Sequence, residues 1–551
     1  MFIVKKNKYI KAPSGAEHIV LDKFNFMTNN KYLDHVMRQL NLLLVLCFTF
    51  MLINERVASQ SSLSYPPQDS AFVSRSGSAL LLNDRPYYSI GVNTYYLQNI
   101  AAYEDTFHID EVFREAKSFG VNTIRTWGFF DYSDSNHPAV IQYLPGRYKE
   151  HGLQALDYVI MKAREFSIRL IIPFVNNWED YGGMNQYVRW YAVLYHKYGK
   201  EPLSVNQRQV FGTEGRMYQF YVTNTLTHDD FYTQEDIKQW YKDYITMLMN
   251  RINSFTGIKY KDEPAILAWE LANEPRSSDR SGMIVTDWLN EMSTYIKSID
   301  PNHLISTGEE GLDISKTGYS DPARYNEQGW LFDGSAGISF RNNFGLPNID
   351  LGSIHCYPEA WKLSANQGIR WLNDHQHYAD EIQKPLLVGE IGKWQKRNFF
   401  FEGVYNDALY STTAGVLVWQ FVYDGRSNND GYAFYFPKDS NLCAIIGKYA
   451  ESYRQKVDGT LPIPSDVRLL PNYPNPFNHV TLIPYHVSEK THIQLNVYNS
   501  VGQRIMNLVD EFQEPGYHIV PLDGFYMASG AYFIHLISKY TCQTTPVILI
   551  R

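Results

Sequence analysis

Short apolar runs alternate with amphipathic segments from about residue 87 to residue 457. Helical spacing of apolar residues marks 110–120, which ends on a glycine suited to a C-cap, and 234–253 and 281–300, where Ser281 is suited to the N-cap. Near-continuous apolar strands between such helices are typical of a parallel sheet covered on both faces. Eight runs read as strands: 87–96, 121–129, 169–176, 266–275, 303–311, 350–358, 385–392 and 414–422. Eight such units predict an α/β fold, a closed (β/α)₈ TIM barrel.

Two long insertions interrupt this pattern, residues 177–233 and 311–349. Both follow predicted strands, so we expect both to lie on the C-terminal face of the barrel, where barrel active sites are built.

The pattern changes after Val457. A stretch rich in Pro and Asn reads as a linker, and short alternating strands follow it, as in a small C-terminal β-sandwich. The sequence therefore predicts four regions: 1–59, an N-terminal extension and signal peptide; 70–455, the barrel; 456–465, a linker; and 466–551, the β-sandwich.

An apolar run near the start resembles an export signal. Residues 40–53 follow Arg38 and are too short for a typical membrane span, and Val57-Ala58-Ser59 offers small residues for cleavage. The polar stretch before this run suggests that translation starts at Met37. A single anchor helix is the alternative, and a lipoprotein signal ending at Cys47 fits less well because small residues do not precede that cysteine.

Composition excludes several classes of function. The formal net charge is −8 and no basic stripe stands out, which argues against a nucleic-acid partner. Four cysteines in 551 residues exclude a disulfide scaffold, and whether Cys356 and Cys443 pair stays open. The sequence has no HExxH motif and no clustered Cys and His, so no metal and no cofactor are expected.

Polar residues end most of the predicted strands, where a barrel builds its active site. Two of them, Glu274 and Glu390, are carboxylates at the ends of otherwise apolar strands. A buried carboxylate costs several kcal/mol unless it is paired, hydrogen-bonded or functional. The set comprises Arg125, Asn176, Asn177, Asn273, Glu274, Glu309, Glu310, His355, Tyr357, Glu390 and Trp419.

Paired carboxylates are the groups that glycosidic cleavage requires. One protonates the leaving oxygen, and the other attacks the anomeric carbon or activates water. In this interpretation Glu274 supplies the proton and Asn273 beside it holds a sugar hydroxyl.

The motifs "WELANEP" and "LLVGEIG" resemble those of glycoside hydrolase family 5, a retaining group of (β/α)₈ barrels. The resemblance implies that Glu274 is the acid/base and Glu390 the nucleophile. It implies that Arg125 braces the nucleophile, that Tyr357 of the His355-x-Tyr pair hydrogen-bonds it, and that Trp419 is a platform under the sugar at the cleavage point.

Further motifs resemble the plant- and fungal-type endo-β-1,4-mannanase branch over about residues 70–455. They include "VNNWEDYGGMNQYVRW", "FTGIKYKDEPAILAWELANEPR" and "SIDPNHLISTGEEG". The segments "GEIGKW" and "NEPRSSD" depart from the usual pattern, which leaves subsite detail open. A β-mannan is therefore the expected substrate. Cellulose, glucomannan, transglycosylation on the same machinery, and a non-catalytic glycan-binding protein are the alternatives.

A retaining mechanism requires carboxyl groups about 5–5.5 Å apart, and we expect that separation for Glu274 and Glu390. Arg125 should lower the pKa of Glu390, whereas the pKa of Glu274 should be raised. Asn273 should bind the sugar 2-hydroxyl, and His355 should orient Tyr357 or Glu274. Arg276 could reach sugars on the leaving side, and a surface ion pair is the alternative. Five residues could line the cleft, with packing in the protein as an equally good explanation for each: Trp127, Asn177, Glu310, Trp361 and Trp394.

The segments "LLPNYPNPFN", "LNVYNSVGQRI" and "MASGAYFIHL" resemble the type A sorting domain of type IX secretion in Bacteroidetes-related bacteria. The resemblance implies export by the signal peptide, then passage through outer-membrane secretion machinery that recognises residues 466–551. A secreted or cell-surface monomer is expected. The competing interpretation is a carbohydrate-binding module, against which the sandwich strands contain no Trp.

Overall fold

The computed structural model describes residues 71–197, 226–315, 322–426, 430–460, 467–472, 475–514, 516–539 and 541–550. The predicted signal peptide, the start at Met37 and much of the insertion 177–233 lie outside these residues. Within them, no helix combines the length and the apolar character that crossing a membrane requires.

Eight parallel strands form the central sheet, and all of their residues are buried. The strands are β1 Ser89–Asn93, β2 Thr123–Arg125, β3 Arg169–Pro173, β4 Ile266–Glu270, β5 Leu304–Ser306, β6 Gly352–Cys356, β7 Leu386–Ile391 and β8 Gly415–Val418. They pair in the order β5-β4-β3-β2-β1-β8-β7-β6, and a parallel bridge between Ser306 and Leu351 joins the two ends of this sheet, which closes the barrel. The predicted barrel is confirmed, with one of its strands inside each predicted run.

The helices pack their apolar faces around this sheet in one large core. They are α1 Leu97–Ala102, α2 Thr106–Ser118, α3 Glu150–Glu165, α4 Gly183–Lys197, α5 Asp230–Thr233, α6 Glu235–Asn250, α7 Met283–Ile299, α8 Phe340–Gly345, α9 Ala365–Glu381, α10 Arg397–Tyr410 and α11 Ser440–Val457. Short 3₁₀ turns occupy Tyr260–Asp262, Pro322–Tyr325 and Gly329–Leu331.

Glycines lie at the end of α2 and at the start of α7. Gly120 follows the last turn of α2 with a φ of +92°, as a C-terminal glycine does. The N-cap predicted at Ser281 is wrong, because Gly282 occupies that position with a φ of +72°. Asp279 takes the role of the capping side chain: it accepts the N–H of Ile284 at 3.1 Å and also binds Ser281.

A small three-stranded antiparallel sheet precedes the barrel and closes its amino-terminal end. Its strands are Ser74–Ser76, Ala79–Leu82 and Arg85–Tyr87. Leu80 packs among Leu267, Leu304, Leu387 and Leu417 of the barrel interior. A short hairpin, Gln142–Leu144 with Arg147–Tyr148, lies in the connection between β2 and α3.

The C-terminal region folds around a separate apolar core. Its strands are β9 Arg468–Leu469, β10 Val480–Val487, β11 Thr491–Asn499, β12 Arg504–Gln513, β13 Gly516–Asp523, β14 Gly530–Ile537 and β15 Cys542–Leu549. They form two antiparallel sheets, in the orders β9-β10-β13 and β12-β11-β14-β15, and both sheets contribute to that core. Leu482 of β10 belongs instead to the core of the barrel and lies against Gly403 of α10.

Three further features concern the predicted linker, the cysteines and the C-terminal sheets. Helix α11 ends at Val457, two residues inside the predicted linker. Cys356 and Cys443 are both buried and both free, so they do not pair. The C-terminal sheets expose Phe525 and Tyr526, whose rings meet edge-to-face at 86° and so do not form one continuous flat surface.

Candidate active site

Polar side chains converge at the carboxyl ends of the barrel strands. Arg125 ends β2, Glu270 ends β4, His355 lies in β6 and Glu390 in β7, and all four are buried. Glu274 follows β4 by four residues and adopts a φ of +49°, a conformation that non-glycine residues rarely take. Its N–H donates to the carbonyl of Gly308 at 2.8 Å, which holds this turn. The local backbone therefore aims the Glu274 carboxyl into the mouth of the barrel.

Arg125 is the centre of the hydrogen-bond network. Its Nε donates to Glu270 at 2.5 Å, and its Nη1 donates to Glu390 at 2.6 Å and to Asn93 at 3.2 Å. Its Nη2 donates to the Asn273 Oδ1 at 2.8 Å. Burial alone would lower the pKa of this guanidinium, but Glu270 and Glu390 outweigh burial and raise it. Arg125 therefore stays charged and fixes the position of Glu390.

Glu274 and Glu390 have different partners. Glu274 accepts a hydrogen bond from the Trp178 indole at 2.6 Å and lies 2.8 Å from the Nδ1 of His355. Glu390 accepts from Arg125 and from the Tyr357 hydroxyl. Each carboxyl is thus held from two sides.

The two carboxyls lie close together. One oxygen of Glu274, one of Glu390 and a ring nitrogen of His355 all fall within 4.8 Å of one another. These atoms lie closer together than the carboxyl groups of inverting glycosidases, which are about 6.5–9.5 Å apart to admit a water molecule, so the spacing fits the retaining arrangement.

Burial raises the pKa of both carboxyls, because a charge in the dry interior of the site loses its hydration. The expected lowering by Arg125 is present, and Tyr357 acts in the same direction, but burial outweighs both and leaves the pKa of Glu390 raised. Arg125 touches Glu390 directly and does not hydrogen-bond Glu274. The negative charge of the pair therefore resides on Glu390 and the shared proton on Glu274.

Burial lowers the pKa of His355 and raises that of Tyr357 well above its usual value. His355 is therefore neutral, and Tyr357 remains a hydrogen-bond donor to Glu390. The Nε2 of His355 is buried, and no residue in the described part of the chain hydrogen-bonds it. Its ring thus serves Glu274, as expected for an orienting residue.

Asn273 and Asn177 hold the turn that carries Glu274. Asn273 donates to the Asn176 Oδ1 at 2.9 Å while it accepts from Arg125, so the orientation of its amide is fixed. Asn177 accepts the N–H of Arg276 at 3.2 Å and donates its own N–H to the carbonyl of Asn273. Asn177 thus supports the backbone beside the carboxyls.

Arg276 and Glu310 form a buried pair close to Glu274. The guanidinium donates to both oxygens of Glu310, at 2.7 and 2.6 Å, and lies over the ring of Trp178. Burial raises the pKa of Glu310, and Arg276 opposes that effect. The surface ion pair considered for Arg276 is wrong, because both members are at most 5% exposed.

The two predicted tryptophans occupy different environments. Trp127 is 4% exposed and packs against Phe129 and Tyr95, which leaves little of it for a sugar. Trp419 is partly exposed, stacks on Tyr95 at an interplanar angle of 8°, and donates its indole N–H to Asp430 at 2.7 Å. Trp419 therefore presents an oriented ring and Trp127 does not. Trp361 is also buried.

Sequence reasoning missed three residues of this site. Glu270 was visible as a carboxylate inside an apolar strand, and it is the second partner of Arg125. Trp178 lies 96 residues from Glu274, and no spacing relates them. Asp430 joins Trp419 to Gln420 from a connection with no recognisable pattern.

Glu274, His355 and Glu390 are the group in the described part of the chain whose spacing would suit a metal ion. Their surroundings suit one poorly. The Arg125 guanidinium already neutralises Glu390 at 2.6 Å, and the Trp178 and Tyr357 donors occupy the other carboxylate oxygens. The donor set is therefore better suited to proton transfer.

Comparison with known proteins relates the chain to one family of glycoside hydrolases. A family profile described as GH family 5 beta-mannosidase-like matches residues 70–435. Mannan endo-1,4-beta-mannosidase 3 of Arabidopsis thaliana is 36% identical over 430 residues, covering 73% of this chain and 94% of that protein. Mannan endo-1,4-beta-mannosidase 8 of Oryza sativa subsp. japonica is also 36% identical, covering 68% and 97%.

Solved structures resemble the chain in the same way. The endo-beta-1,4-mannanase from Thermotoga petrophila is 28% identical, with a TM-score of 0.58, and the match covers 84% of this chain and 97% of that one. The endo-1,4-beta-mannanase from Rhizomucor miehei is 31% identical, with a TM-score of 0.57 and coverage of 70% and 100%.

Proposed function

The chain belongs to glycoside hydrolase family 5, in its β-mannosidase-like group, and from that premise we propose that it is a secreted, retaining endo-β-1,4-mannanase. Its substrates would be mannan, glucomannan and galactomannan. The observation that carries the proposal is the pair of buried carboxyls, Glu274 and Glu390, within 4.8 Å of each other and with different partners.

In the first step Glu390 attacks the anomeric carbon while the bond to the leaving oxygen breaks. Glu274 transfers its proton to that oxygen, so the leaving sugar departs as an alcohol and a glycosyl ester forms on Glu390. Arg125 and Tyr357 prepare this step, because they hold the ionised Glu390 in one orientation. His355 and Trp178 hold Glu274 toward the leaving oxygen.

In the second step Glu274 acts as a base. The charge of Glu390 has been consumed in the ester, so the carboxylate of Glu274 no longer has an anionic neighbour there. Glu274 removes a proton from water, the water oxygen bonds to the anomeric carbon, and the ester bond breaks to restore Glu390. The configuration at the anomeric carbon is retained after two displacements.

The sugar at the cleavage point would lie on Trp419, with its 2-hydroxyl near Asn273. Asn273 has a fixed amide and a second N–H beyond the one it gives to Asn176. Contacts to the 2-hydroxyl strengthen in the transition state of such enzymes. In mannose this hydroxyl is axial, so this contact also bears on which sugar is preferred.

The preference for mannan is supported by the names of the relatives, which are mannan endo-1,4-beta-mannosidases. The alternatives are that the same residues cleave a glucan, or that they transfer the sugar to a second sugar in place of water. The loops around the site determine both properties. A non-catalytic glycan-binding protein is disfavoured, because both carboxyls and their partners are in place.

The test compares three polysaccharides. The chain from Gln60 onward is incubated with galactomannan, glucomannan and carboxymethylcellulose while viscosity and reducing ends are followed. We expect a rapid fall in viscosity on the two mannans, little change on carboxymethylcellulose, and NMR spectra in which the first product is the β-anomer. Cleavage of carboxymethylcellulose with galactomannan spared would contradict the proposed substrate, and a first product of α-configuration would contradict the mechanism.

Glu390→Ala should abolish turnover. Glu309→Gln is the matched control, because Glu309 is also a buried carboxyl at a strand end, and burial raises its pKa to about 8. The amide therefore resembles the protonated acid that Glu309 carries at neutral pH, and activity should persist. Equal loss in both variants would point to misfolding.

Export is a separate part of the proposal. It rests on the apolar run at residues 40–53 and on the separate apolar core of the C-terminal strands, which fits a removable sorting domain. Deletion of 466–551 in a host with type IX secretion should retain active enzyme inside the cell envelope. Unchanged secretion of the shortened chain, together with weaker binding to insoluble mannan, would favour a carbohydrate-binding module.

A further inference from the structure

Trp394 is a surface tryptophan that the catalytic mechanism does not use. It lies in the loop after β7, four residues beyond Glu390, and 47% of it is exposed. An isolated exposed apolar residue is common on protein surfaces and requires no explanation. Trp394 differs from such a residue because several contacts fix the orientation of its ring.

Four contacts fix the position of this indole. Its N–H donates to the carbonyl of Asp430 at 3.0 Å, and one face stacks on Tyr432 with centroids 4.9 Å apart and planes at 25°. The residues on either side are tied to Glu359: the Lys393 ammonium forms an ion pair with it, and the Gln395 N–H donates to it at 3.3 Å.

The same contacts connect Trp394 to the catalytic centre. The ring of Tyr432 meets the ring of Tyr357 at 5.0 Å, and Tyr357 donates to Glu390. The carboxylate of Asp430 accepts the indole N–H of Trp419, while its carbonyl accepts that of Trp394. One residue therefore sets the orientation of both indoles.

We propose that the open face of Trp394 binds a further hexopyranose unit of the same β-linked glycan that lies over Trp419. This inference rests on the proposed function and deepens it, because it assigns a second aromatic platform to the substrate cleft. A sugar presents an apolar face of C–H groups, which packs well on a flat ring. Because the ring is already fixed, little conformational entropy is lost when the sugar binds.

Chain length is the variable that tests the platform. The inactive Glu390→Ala protein is titrated calorimetrically with mannotriose and mannohexaose, alone and combined with Trp394→Ala or Trp394→Phe. We expect Trp394→Ala to weaken hexaose binding about tenfold, which corresponds to about 1.4 kcal/mol, and to leave triose binding unchanged. Trp394→Phe keeps a flat ring and should retain most of the affinity. Phe512→Ala, which removes an exposed ring from β12, is the matched control and should change neither.

Turnover gives the second readout. In the otherwise native enzyme, Trp394→Ala should raise the KM for mannohexaose about tenfold and leave kcat near its native value, because the indole N–H binds Asp430 and not Glu274 or Glu390. A merely structural role would lower kcat and the melting temperature together.

Equal affinity for mannohexaose with and without Trp394, or an equal loss for the triose and the hexaose, would overturn the inference while mannan cleavage stood. The same titrations with cellohexaose separate the two proposals. If cellohexaose bound and mannohexaose did not, the mannanase assignment would be overturned. The effect of Trp394→Ala on cellohexaose binding would then show whether Trp394 is a sugar platform. If neither hexaose bound, the inference would be wrong.

Discussion

Replacement of Arg125 by lysine tests how the site assigns its negative charge. The guanidinium makes four hydrogen bonds, two of them to the buried carboxylates of Glu270 and Glu390. Lysine keeps the charge but cannot reproduce the planar fork that reaches both carboxylates at once. We therefore expect at least one charge-assisted hydrogen bond to be lost, which is worth about 1.5–3 kcal/mol.

The pH dependence of kcat/KM shows whether the bond to Glu390 is lost. Glu390 must be ionised to attack, so its pKa sets the acid limb of the profile. Arg125 lowers that pKa against the effect of burial, and weakening the contact must raise it. A loss of about 1.5–3 kcal/mol moves the acid limb upward by about one to two pH units.

Urea unfolding shows whether the bond to Glu270 is lost. Glu270 is fully buried and would lose a hydrogen-bond donor, which should reduce the free energy of unfolding by a similar amount. Arg251→Lys is the matched control, since Arg251 donates at 2.8 and 2.6 Å to the buried carboxylate of Asp157, away from the site. It should reduce stability without moving the acid limb.

An acid limb that stays in place in Arg125→Lys, with native kcat/KM, would refute the charge assignment. Movement of the limb in both lysine variants would show that a general loss of stability, rather than the contact to Glu390, controls the profile.

Three further outcomes follow from the same geometry. Trp178→Phe removes the indole donor that lowers the pKa of Glu274, so the basic limb of the kcat/KM profile should move to higher pH by up to about one unit, and a downward shift would contradict this. Glu309→Gln should become more stable than the native chain as pH rises from the usual carboxyl value near 4.5 to about 8, where the native protein alone holds a proton against the solvent; unfolding curves that stay parallel across this range would disprove it. Asp430→Ala frees the indole of Trp419 and should raise KM several-fold for substrates of every length, and an unchanged KM would show that stacking on Tyr95 alone orients the ring.

The barrel could be predicted from the sequence because its strands are buried on both faces. Such strands are near-continuous apolar runs, and turn residues bound them clearly. Glu274 and Glu390 stand out for the same reason, as carboxylates where the pattern calls for apolar side chains. The strands of the C-terminal sheets were recognised by their alternation, and α11 ends at Val457, where the sequence pattern changes.

Contacts between distant loops could not be predicted in this way. Trp178 reaches Glu274 across 96 residues, and Asp430 reaches Trp419 from a loop without periodicity. Trp127 looked equally suited to the cleft and to the core, and only the packing of Tyr95 over it decides for the core. A sequence shows which residue types end the strands and does not show which of them meet.

The net direction of the pKa of Glu390 could not be read from its neighbours either. Arg125 was recognised as a partner, but the cost of burying the carboxylate depends on how completely the site is closed to water, and that is a property of the assembled barrel. Burial acts on Glu274 in the same direction. The difference between the two acids therefore comes from their contacts: a guanidinium and a phenol at Glu390, an indole and a neutral imidazole at Glu274. Since only the first set includes a positive charge in direct contact, these contacts favour a negative charge on Glu390 and a proton on Glu274.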